Sequence, residues 1–532
     1  MSRYENQLDA PRLIQGLLRP EAYDHSVVEL RLIETHISWV ILTGPFAYKL
    51  KKPVALGFVD FSNLEARHFY CREELRLNRR LALDLYKDVV PITGSVHDPK
   101  VGGDGEAIEY AVKLRQFPQQ MLLSQATARG DLLSAHIDDL AKEVANFHSH
   151  ADIARDDSPF GTADKVIQPI RVNFEHLSHA DLDLDRLQSV DDLASWSEER
   201  FIALRDTLDA RKTQGFVREC HGDMHLNNMI LDHGRVTIFD CIEFNEGLRW
   251  IDVMSEVAFC AMDLRSRGKS DFAHRFINAY LQHTGDYEGL ALLRFYAVYR
   301  ALVRAKVASI RLGQQAADAR PDQSDLDELH HYLDLAKWYT QPQSPCLMIA
   351  HGVSGSGKTY GTQPIIESIG GIRIRSDVER KRLFGLDETS RSRSPIDAGL
   401  YAESATRRTY DRLATLADHI LKLGYPVIVD ATFLHREQRQ TFHDIADRLG
   451  VPFHILSFHA SERTLRDRIT KRLSAGEDAS EATVDVLRVQ LDTQEPIDVA
   501  EQPFVIDVDT DAPQATKLQR WIEDISRDGL DG

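Results

Sequence analysis

Cysteine is scarce in this 532-residue chain. There are five (Cys71, Cys220, Cys241, Cys260 and Cys346), odd in number, scattered and without a C-x-x-C pair. That argues against a disulfide framework and against a zinc site, and it predicts a reducing, cytoplasmic setting. Long apolar runs are also missing: no stretch reaches about 18 apolar residues, so no membrane span is expected. The opening segment, Met1 to Asp9, is polar and lacks the apolar centre of a signal peptide. No internal repeat and no low-complexity tract is visible. Positive charge is in short supply, with 64 Lys/Arg against 82 Asp/Glu and a net charge of −18. The whole molecule is therefore a poor non-specific partner for nucleic acid or an anionic membrane.

What is present reads as ordinary globular protein, 43% hydrophobic and 27% charged. The length predicts two or three domains, each large enough to bury a core. The weakest stretch is the polar Gly313–Ser324, followed by a short helical segment, Asp325–Tyr339, and then Gln341-Pro-Gln-Ser-Pro345. We expect one domain over 1–335 and a second over 345–532. After residue 344 there are 24 Lys/Arg and 30 Asp/Glu, a net of −6 that leaves −12 to the N-terminal part.

The C-terminal part opens on a short apolar strand, Cys346–Ala350. It runs into Gly352-Val353-Ser354-Gly355-Ser356-Gly357-Lys358-Thr359, a full G-x-x-x-x-G-K-[ST] match. Glycines let such a loop curl and aim its N–H groups at phosphate oxygens. Lys358 would reach the β- and γ-phosphates and Thr359 would hold Mg²⁺. Pro426–Asp430 and Phe453–Phe458 read as further buried strands separated by helices, an α/β pattern with a parallel sheet. Asp430, at the end of its strand, is placed to organise Mg²⁺, though a turn aspartate would look the same. Residues 372–382 read as a strand of alternating Ile and Arg, then Ser376-Asp377, then a helix. Asp377 suits a carboxylate that orients and deprotonates an attacking hydroxyl, and it also suits a helix N-cap. From Gly371 to Arg393 there are seven basic and four acidic residues. This favours an anionic acceptor, or marks a solvated face. Arg468 and Arg472 are four apart and share a helical face; the Gly476–Glu481 stretch beyond them suggests a mobile end.

The N-terminal part carries His221-Gly222-Asp223 with Asn228 five residues on, the spacing of H-R-D-x-x-x-x-N. In that pattern the aspartate receives the hydroxyl proton and the asparagine holds Mg²⁺. A strand, Val236–Phe239, leads to Asp240, a second metal-binding position. His36–Leu42 and Phe46–Lys51 read as strands about the Thr43-Gly-Pro45 turn, 64–83 as a helix, and Tyr110–Phe117 as a strand. From about 130 onward the pattern is mostly helical. Ala47-Tyr48-Lys49 fits the lysine end of V-A-I-K. Lys51 shares the same strand face, and Glu73 and Glu74 both qualify as the helical partner. No G-x-G-x-x-G precedes Lys49; only Gly44 stands in the turn. We read His148 and His150 as packing or solvent-facing, and Asp252 as a brace for the loop around Asp223.

These residues resemble known families. His221 to Asp240 is similar to the aminoglycoside phosphotransferase family, which has the protein-kinase-like, bilobal α+β fold; Asp223, Asn228 and Asp240 match its positions one by one. Arg375–Arg382 resembles the acceptor side of the polynucleotide-kinase and zeta-toxin-like P-loop kinases, where an aspartate activates the hydroxyl and a following arginine binds substrate. Asp377 and Arg380 stand at those places, and Arg468 and Arg472 would be lid arginines. With Tyr48–Pro53 and the phosphate loop, the whole chain resembles a bacterial fusion of the two. The resemblance implies an ATP- and Mg²⁺-dependent phosphotransferase. Lys49 and Glu74 would serve the first nucleotide, with residues 352–359 and Asp430 serving the second. The family likeness does not fix the acceptor; a small-molecule hydroxyl is expected, because the overall charge disfavours nucleic acid. Two other readings stay open: a kinase-like domain that only senses ligand and regulates the P-loop kinase, and a nucleic-acid 5′-end kinase.

Overall fold

The computed structural model describes residues 9–56, 59–180, 182–313, 323–387, 390, 402–475, 479–511, 518 and 521–522. Four features of the sequence lie wholly or partly outside these residues. They are the polar opening segment, most of the 313–324 loop, the end of the basic 371–393 stretch, and the 476–481 end of the expected lid. The contacts group the chain into two compact units that interleave in sequence. One comprises Met1–Asp263 and Tyr299–Leu329, the other Leu264–Val298 and His330–Gly532. No helix among the described residues is long and apolar enough to cross a membrane.

The first unit holds a six-stranded antiparallel sheet. Its order is Arg31–Glu34, Ser38–Leu42, Phe46–Lys51, Glu109–Arg115, Tyr86–Ser95, Asp98–Val101. In Phe46–Lys51 the two-residue period of a strand sorts the side chains. Tyr48 and Leu50 enter one core with Leu13, Ile14 and Leu17. Ala47 enters another with Cys71, Leu85 and Tyr86. Lys49 and Lys51 share the Ala47 face, and on it packs the helix Leu64–Asn78. Asn63 caps that helix by accepting from Ala66 N at 2.8 Å. Arg67, Cys71, Glu74 and Leu77 form its buried stripe.

The helix stops at Asn78, five residues before the sequence pattern suggests. Leu81 N and Ala82 N turn back to Asn78 O at 3.1 and 2.8 Å. The Asn78 amide meanwhile bonds Glu74 O and Cys241 N, each at 2.9 Å. A side chain that competes for backbone partners ends the helix despite the continuing leucine periodicity. Farther along, Val217–Glu219 pairs with Trp250–Asp252, and Met229–Asp232 with Arg235–Ile238. These two short ribbons flank the His221–Asn228 loop.

The second unit is a five-stranded, all-parallel sheet in the order Ile372–Arg375, Val427–Asp430, Leu347–His351, Phe453–His459, Val505–Asp509. The central strand, Leu347–His351, is almost wholly buried, as expected of a strand covered on both faces. The fifth strand, Val505–Asp509, escapes a sequence reading because its apolar residues alternate with aspartates at the sheet edge.

Candidate active sites

In the first unit the two lysines left open by the sequence have different partners. Lys49 Nζ lies 3.0 Å from Glu74 Oε1 and 2.5 Å from Asp240 Oδ1. Lys51 is sealed beneath it, bonded to Glu74 and Glu243. Glu73 pairs instead with Arg76. Burial works against both ammonium charges. The carboxylates outweigh it, Asp240 and Glu74 for Lys49 and Glu243 and Glu74 for Lys51, so both stay above the ordinary lysine range. Replacing Lys51 by methionine would leave two buried carboxylates facing each other. We expect the chain to lose about 3–5 kcal/mol of unfolding free energy, read from urea titration; an unchanged midpoint would show that Lys51 is dispensable.

The loop after Val217–Glu219 places Asp223 beside Asn228. Asn228 Nδ2 donates to Asp223 Oδ2 at 2.9 Å and to its carbonyl at 3.0 Å, and His225 Nε2 is 3.3 Å from the same carboxylate. Burial pushes the Asp223 carboxyl up, but His225 by charge and hydrogen bond, then His221 and Arg304, bring it well below its ordinary range. Gly222 has φ +90°, and a Cβ there would sit 2.6 Å from Leu248 O. This is the physical reason that glycine stands where the H-R-D pattern has arginine. Asp240 also has a left-handed backbone, φ +65°, which aspartate tolerates better than most residues. Burial raises its carboxyl, but Lys49 and then Lys51 outweigh this and leave it lowered.

The expected brace is not where the sequence suggested. Asp252 holds Arg211 through two bonds of 2.7 and 2.9 Å. The loop backbone is held by Glu256, which accepts from His221 N at 3.1 Å and Gly222 N at 2.6 Å, and by Asp263, which accepts from Leu226 N at 2.8 Å. Both sit on the helix Val253–Ser266, a buried run of apolar residues in which any acid needs a partner. That isolated charge is the signal a sequence reading could have used. His148 is buried as expected, with Nε2 3.0 Å from Glu256. Potential ligand atoms of His148, Cys220 and Glu256 lie within 4.8 Å of one another. The Glu256 oxygens are already committed to His148 and two backbone N–H groups. His150 is exposed.

In the second unit the phosphate loop joins the central strand to the helix Lys358–Ile369. Gly352 has φ +138°, and a Cβ there would meet Phe458 O at 2.3 Å; Gly355 and Gly357 have φ +84° and +92°. Val353 anchors the loop in a cluster with Leu434, Leu465, Ile469 and Leu487. Ser354 N donates to Gln490 Oε1 at 2.8 Å, and Ser356 is fully buried. Lys358 Nζ donates to the carbonyls of Gly352 and Val353 at 2.8 and 2.9 Å. Thr359 Oγ1 donates to Asp430 Oδ2 at 2.6 Å. Burial lowers Lys358 to about 8, with Asp430 and Asp377 opposing and Arg472 assisting.

Asp377 is the second residue of the helix Ser376–Leu383. Arg375 occupies the cap position, with no side-chain cap bond, so Asp377 is not an N-cap. Its charge and that of Arg380 both reach Tyr410, whose hydroxyl accepts from Phe433 N at 3.1 Å. Arg468 Nη1 donates to Gly355 O at 3.2 Å and Thr510 Oγ1 at 2.8 Å. Arg472, one turn on, donates to Ala482 O at 3.3 Å. Arg468 thus bonds the phosphate loop directly, whereas Arg472 is tied to Ala482 and only its charge reaches Lys358. Sequence reasoning assigns no role to Arg373, which crosses from the strand Ile372–Arg375 to Thr359 O at 2.8 Å, or to Gln490 and Thr510.

Comparison with known proteins accords with this division. Residues 347–497 match the family model described as an AAA domain, and residues 71–293 that of the phosphotransferase enzyme family. An uncharacterized protein of Mycobacterium tuberculosis is 29% identical over 464 residues, which cover 86% of this chain and 89% of the relative. Among solved structures, a gluconokinase from Sinorhizobium meliloti 1021 is 21% identical, covering 36% of this chain and 96% of its own, with a TM-score of 0.26. A choline/ethanolamine kinase family protein from Mesorhizobium loti is 12% identical, covering 63% and 94%, with a TM-score of 0.38. The chain is thus a kinase-class protein that carries a phosphotransferase-family domain and an AAA-type P-loop kinase-like domain in one polypeptide.

Proposed function

We propose that the protein is a bifunctional phosphotransferase with two separate Mg²⁺-ATP sites, each passing a γ-phosphoryl group to a hydroxyl acceptor. One observation carries the reading. Each unit has a set of its own that supports this reading: Lys49, Glu74, Asp223, Asn228 and Asp240 in the first, and Lys358, Thr359, Asp377 and Asp430 in the second.

In the first site Lys49, oriented by Glu74, binds nucleotide phosphate. Asp223 orients the acceptor O–H and takes its proton as the acceptor oxygen bonds to the γ-phosphorus and the bond to ADP breaks. A carboxylate kept below its ordinary range stays ionised, which suits late proton transfer in a loose transition state. Asn228, having spent its Nδ2 on Asp223, offers Oδ1 to a cation, and Asp240 offers its carboxylate. Oxygen donors of this kind fit Mg²⁺. In the second site residues 352–359 cradle phosphate, Lys358 neutralises it, and Asp377 acts as base. Thr359, whose hydroxyl donates to the Asp430 carboxylate, and Asp430 itself fit Mg²⁺ in the same way. Arg380 faces the acceptor, and Arg468 and Arg472 stand over the loop. When bound, Mg²⁺ supplies neutralisation of the phosphate charge.

A small-molecule acceptor is favoured over a nucleic-acid end. Three of the basic residues before and along the acceptor helix are engaged within the unit: Arg373 with Thr359, Lys381 with Glu481, and Arg382 with Glu379. A second reading, in which the first unit senses nucleotide and regulates the other, draws on the Gly44 turn. Thr43 N and Gly44 N both donate to Gln116 Oε1, at 3.0 and 2.9 Å, so these amides are spent inside the fold. The deciding experiment is Mg²⁺-ATP turnover with sugar, nucleoside and oligonucleotide acceptors, comparing wild type with Asp223→Asn, Asp377→Asn and Lys358→Ala.

The second site should also be pH-dependent. Phosphate binding requires Lys358 charged, and the free side chain loses its proton as pH rises through about 8. Nucleotide affinity should therefore fall above that pH, approaching a factor of about ten per pH unit, with the fall absent in Lys358→Ala. Isothermal titration between roughly pH 6.5 and 9.5, which spans this proton-linked change, reads it out.

A further inference from the structure

The helix Ser270–Thr284 lies inside the stretch matched by the phosphotransferase family and outside the stretch matched by the AAA domain. It nevertheless packs in the second unit, and its contacts go to three parts of the P-loop site. At the far end of the phosphate-loop helix, His274 Nδ1 meets Glu367 O at 2.9 Å and Arg275 Nη1 pairs with Glu367 Oε1 at 2.7 Å. On the acceptor helix, Arg382 Nη2 donates to Gln282 O at 2.7 Å. Between them, Asn278 Nδ2 donates to Gly371 O at 2.9 Å and Asn278 Oδ1 accepts from Arg373 N at 2.8 Å.

The Asn278 contact is the informative one. Ile372–Arg375 is an edge strand, paired on one side only, with Val427–Asp430. Its outer edge presents peptide groups that need partners. The Asn278 amide supplies a donor and an acceptor in the geometry of one residue of a neighbouring strand. Arg373, whose N–H it holds, sends its own side chain to Thr359 O and to Thr362 Oγ1 at 3.2 Å. Three residues after Arg375 ends the strand, the acceptor helix has passed Asp377. Fixing the register of this strand thus fixes the carboxylate against the phosphate loop.

We propose that Ser270–Thr284 is an intramolecular splint for the P-loop kinase site and that Asn278 is its positioning residue, setting the distance between the ATP half and the acceptor half. The proposal rests on the reading of the second site as a kinase centre. It requires that the catalytic competence of that site depend on residues from the N-terminal part of the chain.

The test uses the full-length protein with Asn278→Leu, which keeps the size and removes both bonds, and Asn278→Asp, which keeps only the acceptor. Arg275→Met serves as a second route to loosening the splint should Asn278→Leu fail to fold. Hydrogen exchange should quicken across 372–383 in Asn278→Leu and less in Asn278→Asp, while 358–369 keeps its protection. ATP affinity should hold within about twofold, and the turnover that Lys358→Ala removes should fall about ten- to a hundredfold, as for a misplaced catalytic group. Unchanged exchange across 372–383 overturns the splint. Faster exchange with full Lys358-dependent turnover overturns the positioning role. If Lys358→Ala removes no turnover from wild type, the kinase reading fails, and the exchange result alone decides whether the splint exists.

Discussion

Asp223→Asn is expected to remove one activity and Lys358→Ala another. Loss of a general base costs on the order of 10²–10⁴-fold, and loss of a preorganised charge at the transferring phosphoryl about 10²–10³-fold. Each replacement leaves its neighbourhood largely intact. The amide oxygen that Asp223→Asn introduces could still accept from Asn228, and the glycines and Thr359–Asp430 bond of the phosphate loop do not depend on Lys358. The acceptors that lose phosphorylation in each variant then identify the substrate of each site. If turnover with every acceptor depends on Lys358 and none on Asp223, the first unit is a regulatory module and the bifunctional reading is wrong.

Glu256→Ala should be among the most damaging single changes outside the proposed reacting groups. The wild-type carboxylate is buried and joined to His148 and to the backbone N–H groups of His221 and Gly222. Truncation strands all three donors, and we expect about 3–5 kcal/mol of lost stability. Burial raises the Glu256 carboxyl, but His148, His221 and the Gly222 N–H outweigh it and hold it at about 2. A carboxyl depressed on folding contributes stability above the ordinary glutamate range, and that contribution is lost as pH falls toward about 2. Denaturant unfolding of wild type and Glu256→Gln between pH 3 and 7, roughly spanning the glutamate range, should show the two curves converging on the acid side. Parallel curves would mean that Glu256 is not ionised in the fold. In Glu256→Gln the Asp223-dependent activity should drop while the Lys358-dependent activity survives.

The parts legible in the sequence share a physical character: they are local. The phosphate loop announces itself because backbone angles near φ +84° to +138° demand glycine at set spacing. The His221–Asn228 loop is legible because the bonds that join its own His221, Asp223 and Asn228 run between residues two to five apart. The strands Phe46–Lys51 and Val427–Asp430 follow from period and apolar content. Asp252 was misread because a carboxylate near a loop in sequence need not face it. Arg211, 41 residues away, claims it. The choice between Lys49 and Lys51 was closed to sequence, since both share a strand face. It turns on Asp240 and Glu243, about 190 residues distant.

By itself, then, the sequence determined two local constellations, the His221–Asp240 set and the Gly352–Thr359 loop, and their strand–loop–helix settings, because each is written in side chains and glycines close together on the chain. Tertiary structure alone decided which lysine meets Asp240, which acids hold the His221–Asn228 loop, and in which unit the helix Ser270–Thr284 packs. Those outcomes depend on which buried donors find acceptors across long sequence separations, and an amphipathic helix carries no mark of the sheet edge its asparagine will complete.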